Sequence, residues 1–141
     1  GGLDVLAHRA AVERAVRALS ADGIEVSLFI DAREPQIDAA RAVGAHAVEL
    51  HTGTYAHATG AGLARELESL RAGAESARTR GLVVHAGHGL TYDNVEPVAA
   101  FPEVAELNIG HFLIGEAIFR GLGPAIEEMR RRMDLARGET A

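Results

Sequence analysis

The sequence has no cysteine, no tryptophan and no lysine, and aromatic residues fill only 4% of its 141 positions. Without cysteine there is no disulfide, thiolate nucleophile, Fe–S cluster or cysteine-ligated zinc. Without lysine there is no side-chain amine for a Schiff base; the 14 basic residues are all arginine. So few aromatics exclude a stacking surface for single-stranded nucleic acid. Long apolar runs are missing too: none approaches the roughly 18 residues needed to span a bilayer, which predicts a soluble chain with no membrane partner. An excess of positive charge is also absent, since 20 acidic residues against 14 basic ones give a net charge of -6. That balance supplies no long-range attraction for DNA, RNA or anionic lipid. It leaves room for a local phosphate site, because backbone N–H groups at a helix N-terminus hold an anion whatever the global charge.

What is present is enough apolar material for one core: 48% of residues are hydrophobic, and the mean hydropathy is +0.04. The start, Gly1-Gly2-Leu3-Asp4, has neither an initiator Met nor a basic region before an apolar one. It predicts no signal peptide, and it predicts that the chain is a processed or truncated piece of something longer.

Apolar periodicity orders the chain. Val12, Ala15, Val16 and Leu19 predict a helix over about 8–20, and Ile24 to Ile30 a strand. Pro35 opens a helix carrying Ile37, Ala40 and Val43 inward, and Ala47 to Leu50 is a second strand. Leu63, Leu67, Leu70, Ala74 and Ala77 stripe a helix over about 62–80. Leu82 to Ala86 and Val104 to Ile109 are the third and fourth strands, separated by a short helix over 94–100. Helices over 112–119 and 124–136 finish the chain, the latter with Ile126, Met129 and Met133 on one side. A leading helix and four strand–helix units result, at about 35 residues per unit, the size of a right-handed βα crossover. Strands separated by helices imply a parallel sheet.

Strand polarity narrows the architecture. In Ala47 to His51, Val48 and Leu50 share one face while Ala47, Glu49 and His51 share the other. Strict alternation in the fourth strand opposes Ala105, Leu107 and Ile109 to Val104, Glu106 and Asn108. A sheet covered on both faces has little room for such polar residues, whereas the mouth of a (β/α)8 barrel does. Four units are half of such a barrel.

Three strand ends collect the informative residues: Glu49-Leu50-His51-Thr52-Gly53, His85-Ala86-Gly87-His88-Gly89-Leu90 and Asn108-Ile109-Gly110-His111. The ends of parallel strands point to one side of the sheet, so all three clusters face one mouth. Glycines after a strand let the backbone turn sharply and present N–H groups to an anion. If these are the last two βα loops of a barrel, they hold a substrate phosphate. Plain structural readings stand beside this one. Gly87 and Gly110 serve equally as turn glycines, a strand-end histidine as a structural donor, and Glu49 as the partner of an arginine across the lumen. His8, His46 and His57 read as surface or packing residues. A His/Glu metal site built on His85, His88, His51, His111 and Glu49 is the weaker alternative, because His85 and His88 need not converge. Rossmann, P-loop and serine-nucleophile motifs are absent.

V-S-L-F-I-D (Val26 to Asp31), E-L-H-T-G-x-Y-A (Glu49 to Ala56), H-A-G-H-G-L-T-Y-x-N-V (His85 to Val95) and E-L-N-I-G-H-F-L-I-G (Glu106 to Gly115) resemble the pyridoxine 5'-phosphate synthase family, in the family's order and over nearly the whole chain. The resemblance implies an α/β fold, in which residues 1–141 form the C-terminal half, strands five to eight, of a single (β/α)8 barrel domain with extra helices. It implies a cytoplasmic homo-oligomer, in dimers and octamers, needing no metal or organic cofactor. The implied reaction condenses 1-deoxy-D-xylulose 5-phosphate with 3-amino-2-oxopropyl phosphate, closing a pyridine ring as pyridoxine 5'-phosphate, inorganic phosphate and water leave.

By residue, the resemblance makes His88 the general acid and Glu49 a stabiliser of the transition state. Gly89, Gly110 and His111 become ligands of 3-amino-2-oxopropyl phosphate. The family's other proton-transfer histidine, its catalytic glutamate and most contacts to deoxyxylulose phosphate belong to an N-terminal half with no counterpart here. This chain alone is therefore expected to be inactive, with its N-terminal half supplied as a partner. The alternatives are a non-catalytic phosphate-binding or structural half-barrel, and another phosphate-sugar enzyme such as an aldolase or isomerase.

Overall fold

A computed structural model describes residues 1–138 as seven helices and four strands. The elements are α1 (Arg9–Ala21), β1 (Ser27–Ile30), α2 (Glu34–Ala42), β2 (Ala47–His51), α3 (Gly53–His57), α4 (Ala61–Thr79), β3 (Val83–Gly87), α5 (Val95–Ala99), β4 (Val104–Asn108), α6 (His111–Arg120) and α7 (Leu122–Ala136). All strand pairs are parallel, in the order β1-β2-β3-β4. Each strand lies beside the next in sequence, with no switch point of the kind that defines a doubly wound sheet.

The two faces of the sheet differ. Leu28, Val48, Val84 and Val104 form one aligned row, and Ile30, Leu50, Ala86 and Leu107 the next. Seven of these eight are buried, and Leu107 packs against them from the β4 edge. Helices supply the other side of that core through Val12 and Val16 of α1, Ile37 and Ala40 of α2, and Leu70, Ala74 and Ala77 of α4. Ile30, Ile37, Leu50 and Leu90 lose essentially all their exposure. Burial of that kind stabilises by about 1.5–3 kcal/mol per side chain. On the opposite face stand Phe29, Glu49, His85 and Glu106 in one row, then His51, Gly87 and Asn108. Every side chain in those two rows is partly or fully exposed. Helices on one face and polar groups on the other are what a barrel wall requires.

Several expectations are corrected. β1 begins at Ser27 rather than Ile24, because its only neighbouring strand begins at Ala47 and pairing starts at Ser27↔Ala47. Ile24 is left in the turn, 51% exposed. Leu19, Leu63 and Ile126 lie outside the buried stripes assigned to them. The segment after β2 is not all loop: Gly53–His57 forms the extra turn α3 before α4. Strict alternation in β4 fails as well. The pairing shifts by one residue between Val84↔Val104 and His85↔Glu106, so Ala105 is bulged out. Val104 therefore turns into the core, while Glu106 and Asn108 stay on the polar face.

α6 contributes no buried residue. Ile118 and Phe119 are 77% and 87% exposed, with Ile114 and Leu122 at least half so. Among the described residues β1 and β4 each have a single strand neighbour; Leu3 N meets the outer flank of β1 by donating to Phe29 O at 2.7 Å, and no strand covers the outer flank of β4. No helix among the described residues is long and apolar enough to cross a membrane.

Candidate active site

The C-terminal ends of β1 to β4 converge on a cavity of about 650 Å³. Its lining includes Glu49, His88, Gly89, Gly110 and His111, the five residues singled out in the sequence, together with Phe29 and Asn108. β2 carries Glu49, the turn after β3 carries His88 and Gly89, and the turn after β4 carries Gly110 and His111 as it enters α6. The first N–H groups of that ten-residue helix have no intrahelical acceptor, and Gly110, His111 and Phe112 at its start line the cavity.

Glu49 is half-buried, and its Oε2 accepts a hydrogen bond from Asn108 Nδ2 at 2.9 Å. Its partner is thus an amide on β4, not an arginine. Burial raises the Glu49 pKa above the ordinary carboxylate value, and the Asn108 bond opposes that shift only in part. Such a carboxylate destabilises the fold once pH rises through its raised pKa, because the folded chain binds its proton more tightly than the unfolded chain does. Glu49→Gln keeps an acceptor for Asn108 and removes the charge. The variant is expected to melt at a higher temperature than the wild type at pH 7. That advantage should vanish as pH falls below the ordinary glutamate value of 4.5. Thermal melts across that range check this, and equal melting temperatures at pH 7 would refute it.

His88 takes φ +83°, the one positive φ among described residues other than glycine, and Gly89 follows at φ +80°. This backbone carries the imidazole over the mouth, where its ring lies 4.9 Å from that of His51, centre to centre. His51 also meets Phe29 edge-on at 5.2 Å, and its Nδ1 is 3.5 Å from Asp31 Oδ1. Burial first, and the neighbouring His88 second, lower the His51 pKa, so His51 resists taking a second proton. Gly53 fits beneath both rings only because it lacks a side chain: a Cβ there would lie 2.5 Å from His51 Nε2 and 2.9 Å from His88 Cδ2.

Sequence reasoning placed His51 and Asn108 in the strand-end clusters that face this mouth without giving either a role in the reaction, and it did not single out Phe29. It set His57 aside as a surface or packing residue, yet His57 lines the cavity, and its Nδ1 lies 2.7 Å from Gly53 O. His57 is six residues beyond the strand, and only the turn of α3 returns it to the rim. Among the described residues no group of three or more histidine, aspartate or glutamate side chains is arranged to hold a metal ion.

A one-sided parallel βα wall with polar groups and glycine turns gathered at the C-terminal strand ends defines the class: an α/β protein of βα-barrel type with its site at the mouth. Residues 1–135 match the family described as "Pyridoxal phosphate biosynthesis protein PdxJ", and the chain belongs to that family. It is 59% identical over 141 residues to a pyridoxine 5'-phosphate synthase of Ruegeria pomeroyi, covering 97% of this chain and 57% of that protein. The corresponding protein of Cereibacter sphaeroides is 56% identical, with 100% and 58% covered, and that of Rhodospirillum rubrum 58% identical, with 96% and 55% covered. The chain thus spans between 55% and 58% of the length of these curated relatives.

Proposed function

We propose that this chain is the C-terminal half, strands five to eight, of a (β/α)8 barrel. Completed by its N-terminal half, it condenses 1-deoxy-D-xylulose 5-phosphate with 3-amino-2-oxopropyl phosphate to pyridoxine 5'-phosphate, without metal or organic cofactor. The observation that carries this reading is the convergence of Glu49, His88, Gly89, Gly110 and His111 on one cavity in a chain of this family. The uncovered flank of β4, the flank of β1 that only Leu3 meets, and the exposed apolar side of α6 support a partner half that pairs with the sheet and covers that helix. On this reading the chain alone is inactive, and the complete protein is a cytoplasmic homo-oligomer.

The chemistry follows from the placement of the groups. The phosphate of the amino ketone sits at Gly89, Gly110 and His111, where the N-terminus of α6 supplies N–H donors and a favourable dipole. Anchoring there holds the reacting carbons over the sheet and replaces a diffusive encounter by a fixed geometry. His88 at the rim donates a proton to a departing oxygen. Glu49 on the floor faces the cationic, iminium-like centre that forms during ring closure. Its negative charge opposes that positive charge in a partly desolvated site.

Gly110→Val tests the anion seat. A Cβ at Gly110 meets nothing within 4 Å in the chain itself, so the substitution leaves the fold alone and intrudes only on a ligand. In the complete enzyme it is expected to raise the KM for the amino ketone phosphate by about 10-fold or more, the loss of roughly one or two charge-assisted hydrogen bonds, while the melting temperature holds. An unchanged KM would remove Gly110 from the site.

A further inference from the structure

We propose that Thr52 is the positioning residue for His88: its buried side chain holds the left-handed turn that aims the imidazole into the cavity. This rests on the reading of His88 as the proton donor. Two consecutive residues with positive φ are costly when the first carries a side chain, and such a turn persists only where its surroundings enforce it. The enforcing contact comes from outside the turn. Thr52 Oγ1 lies 2.7 Å from the carbonyl oxygen of Gly87 and 2.6 Å from that of His88. Its single proton is shared between them. Thr52 N donates a second bond to Gly87 O at 2.9 Å.

Burial makes this contact decisive. Tyrosines aside, Thr52 is the only polar or charged residue buried among the described residues, at 0% exposure. Water cannot replace its hydroxyl there, and a hydrogen bond shielded from water is stronger than one at the surface. Thr52 is itself fixed: it links the end of β2 to the start of α3, and its carbonyl accepts a bond from Ala56 N at 2.9 Å. The far end of the turn is held separately, by Asn94 Nδ2 on Gly89 O at 3.2 Å and by Thr91 N on Asn94 Oδ1 at 2.7 Å. Among the described residues only Thr52 grips the carbonyl of His88.

The test compares Thr52→Val, which keeps the shape and deletes the donor, with Thr52→Ser, which keeps the donor. It is made in the complete enzyme, with His88→Ala assayed alongside. Thr52→Val is expected to lower kcat by about 10-fold or more while KM for both phosphates changes less than about 3-fold, because a misplaced proton donor slows the chemistry and leaves the anion seats intact. Thr52→Ser should recover kcat to within about 3-fold of the wild type. Hydrogen exchange at the amides of Gly89 and Leu90 should quicken in the valine variant, with strand amides unchanged. A purely structural role would lower stability without splitting kcat from KM and without rescue by serine. A valine variant with wild-type kcat, or a serine variant as slow as the valine one, overturns the proposal. If the valine variant does not fold, Thr52→Ala against Thr52→Ser decides on the same split. A His88→Ala enzyme with full turnover would instead overturn the reading of His88 and leave the proposal nothing to act on. A slow His88→Ala enzyme beside an indifferent Thr52→Val sinks the Thr52 proposal alone.

Discussion

Replacing His88 by alanine in the complete enzyme is expected to lower turnover by about 10²–10⁴-fold, the usual contribution of a positioned general acid. The fold should survive, because the side chain is exposed and its contacts with His51 and Phe29 are ring edges at the mouth rather than core packing. A sharper form uses His88→Asn. Asparagine adopts positive φ more readily than most side chains, so this variant should be at least as stable as the wild type and equally slow. Steady-state rates with a thermal melt separate the two effects. Wild-type turnover in either variant would remove His88 from the chemistry. A stable but inactive asparagine variant would mean that the strained turn is kept for function rather than for the fold.

Gly87→Ala carries the second large effect. A Cβ at Gly87 would collide with the Glu49 carboxylate and lie 2.7 Å from the carbonyl oxygen of Asn108. Neither can withdraw cheaply: one belongs to the β4 backbone, and the other is tied to Asn108. The expected cost is about 1–3 kcal/mol of stability, as for other overpacked interiors. Turnover should fall as well, because Glu49 is driven from the floor of the cavity. Chemical denaturation reads the first and kinetics the second. An alanine variant with unchanged midpoint and rate would show that the sheet yields at this point. Gly110→Val is the control, since that position has open space around it. The two glycines read alike in the sequence, each near a strand end beside a histidine. One is required by packing inside the sheet and the other by an expected ligand.

Much of the architecture follows from local pattern. Valine, leucine and isoleucine runs of strand length alternate with helical stripes, and Gly23, Gly44 and Gly81 stand at the helix exits with positive φ. Parallel pairing follows from the helices between strands, and the common mouth follows from parallel pairing. Those steps bring Glu49, His88, Gly89, Gly110 and His111 to one side of the sheet before any coordinates are considered. The motifs around them carry the family in the same way.

Other features depend on contacts between residues far apart in the chain. The start of β1 is set by where β2 begins, 20 residues later in register, not by the apolar run from Ile24. The bulge at Ala105 rotates Val104 into the core against the alternation of its own strand, because β4 must meet both Val84 and His85 of β3. Glu49 acquires its amide partner only when β4 arrives beside β3, which brings Asn108 to it across 59 residues of chain. Thr52 reads as an unremarkable hydroxyl after a strand, and it gains a role only against the carbonyls of a turn 35 and 36 residues further on.

The sequence by itself therefore determined most of the elements, their parallel order, the family and five of the residues that share the mouth, because periodicity and turn chemistry are local properties of the chain. Tertiary structure alone decided register, the bulge, the left-handed turn at His88 and the electrostatic state of Glu49. Each of these is set by a second strand or loop whose position no local pattern encodes.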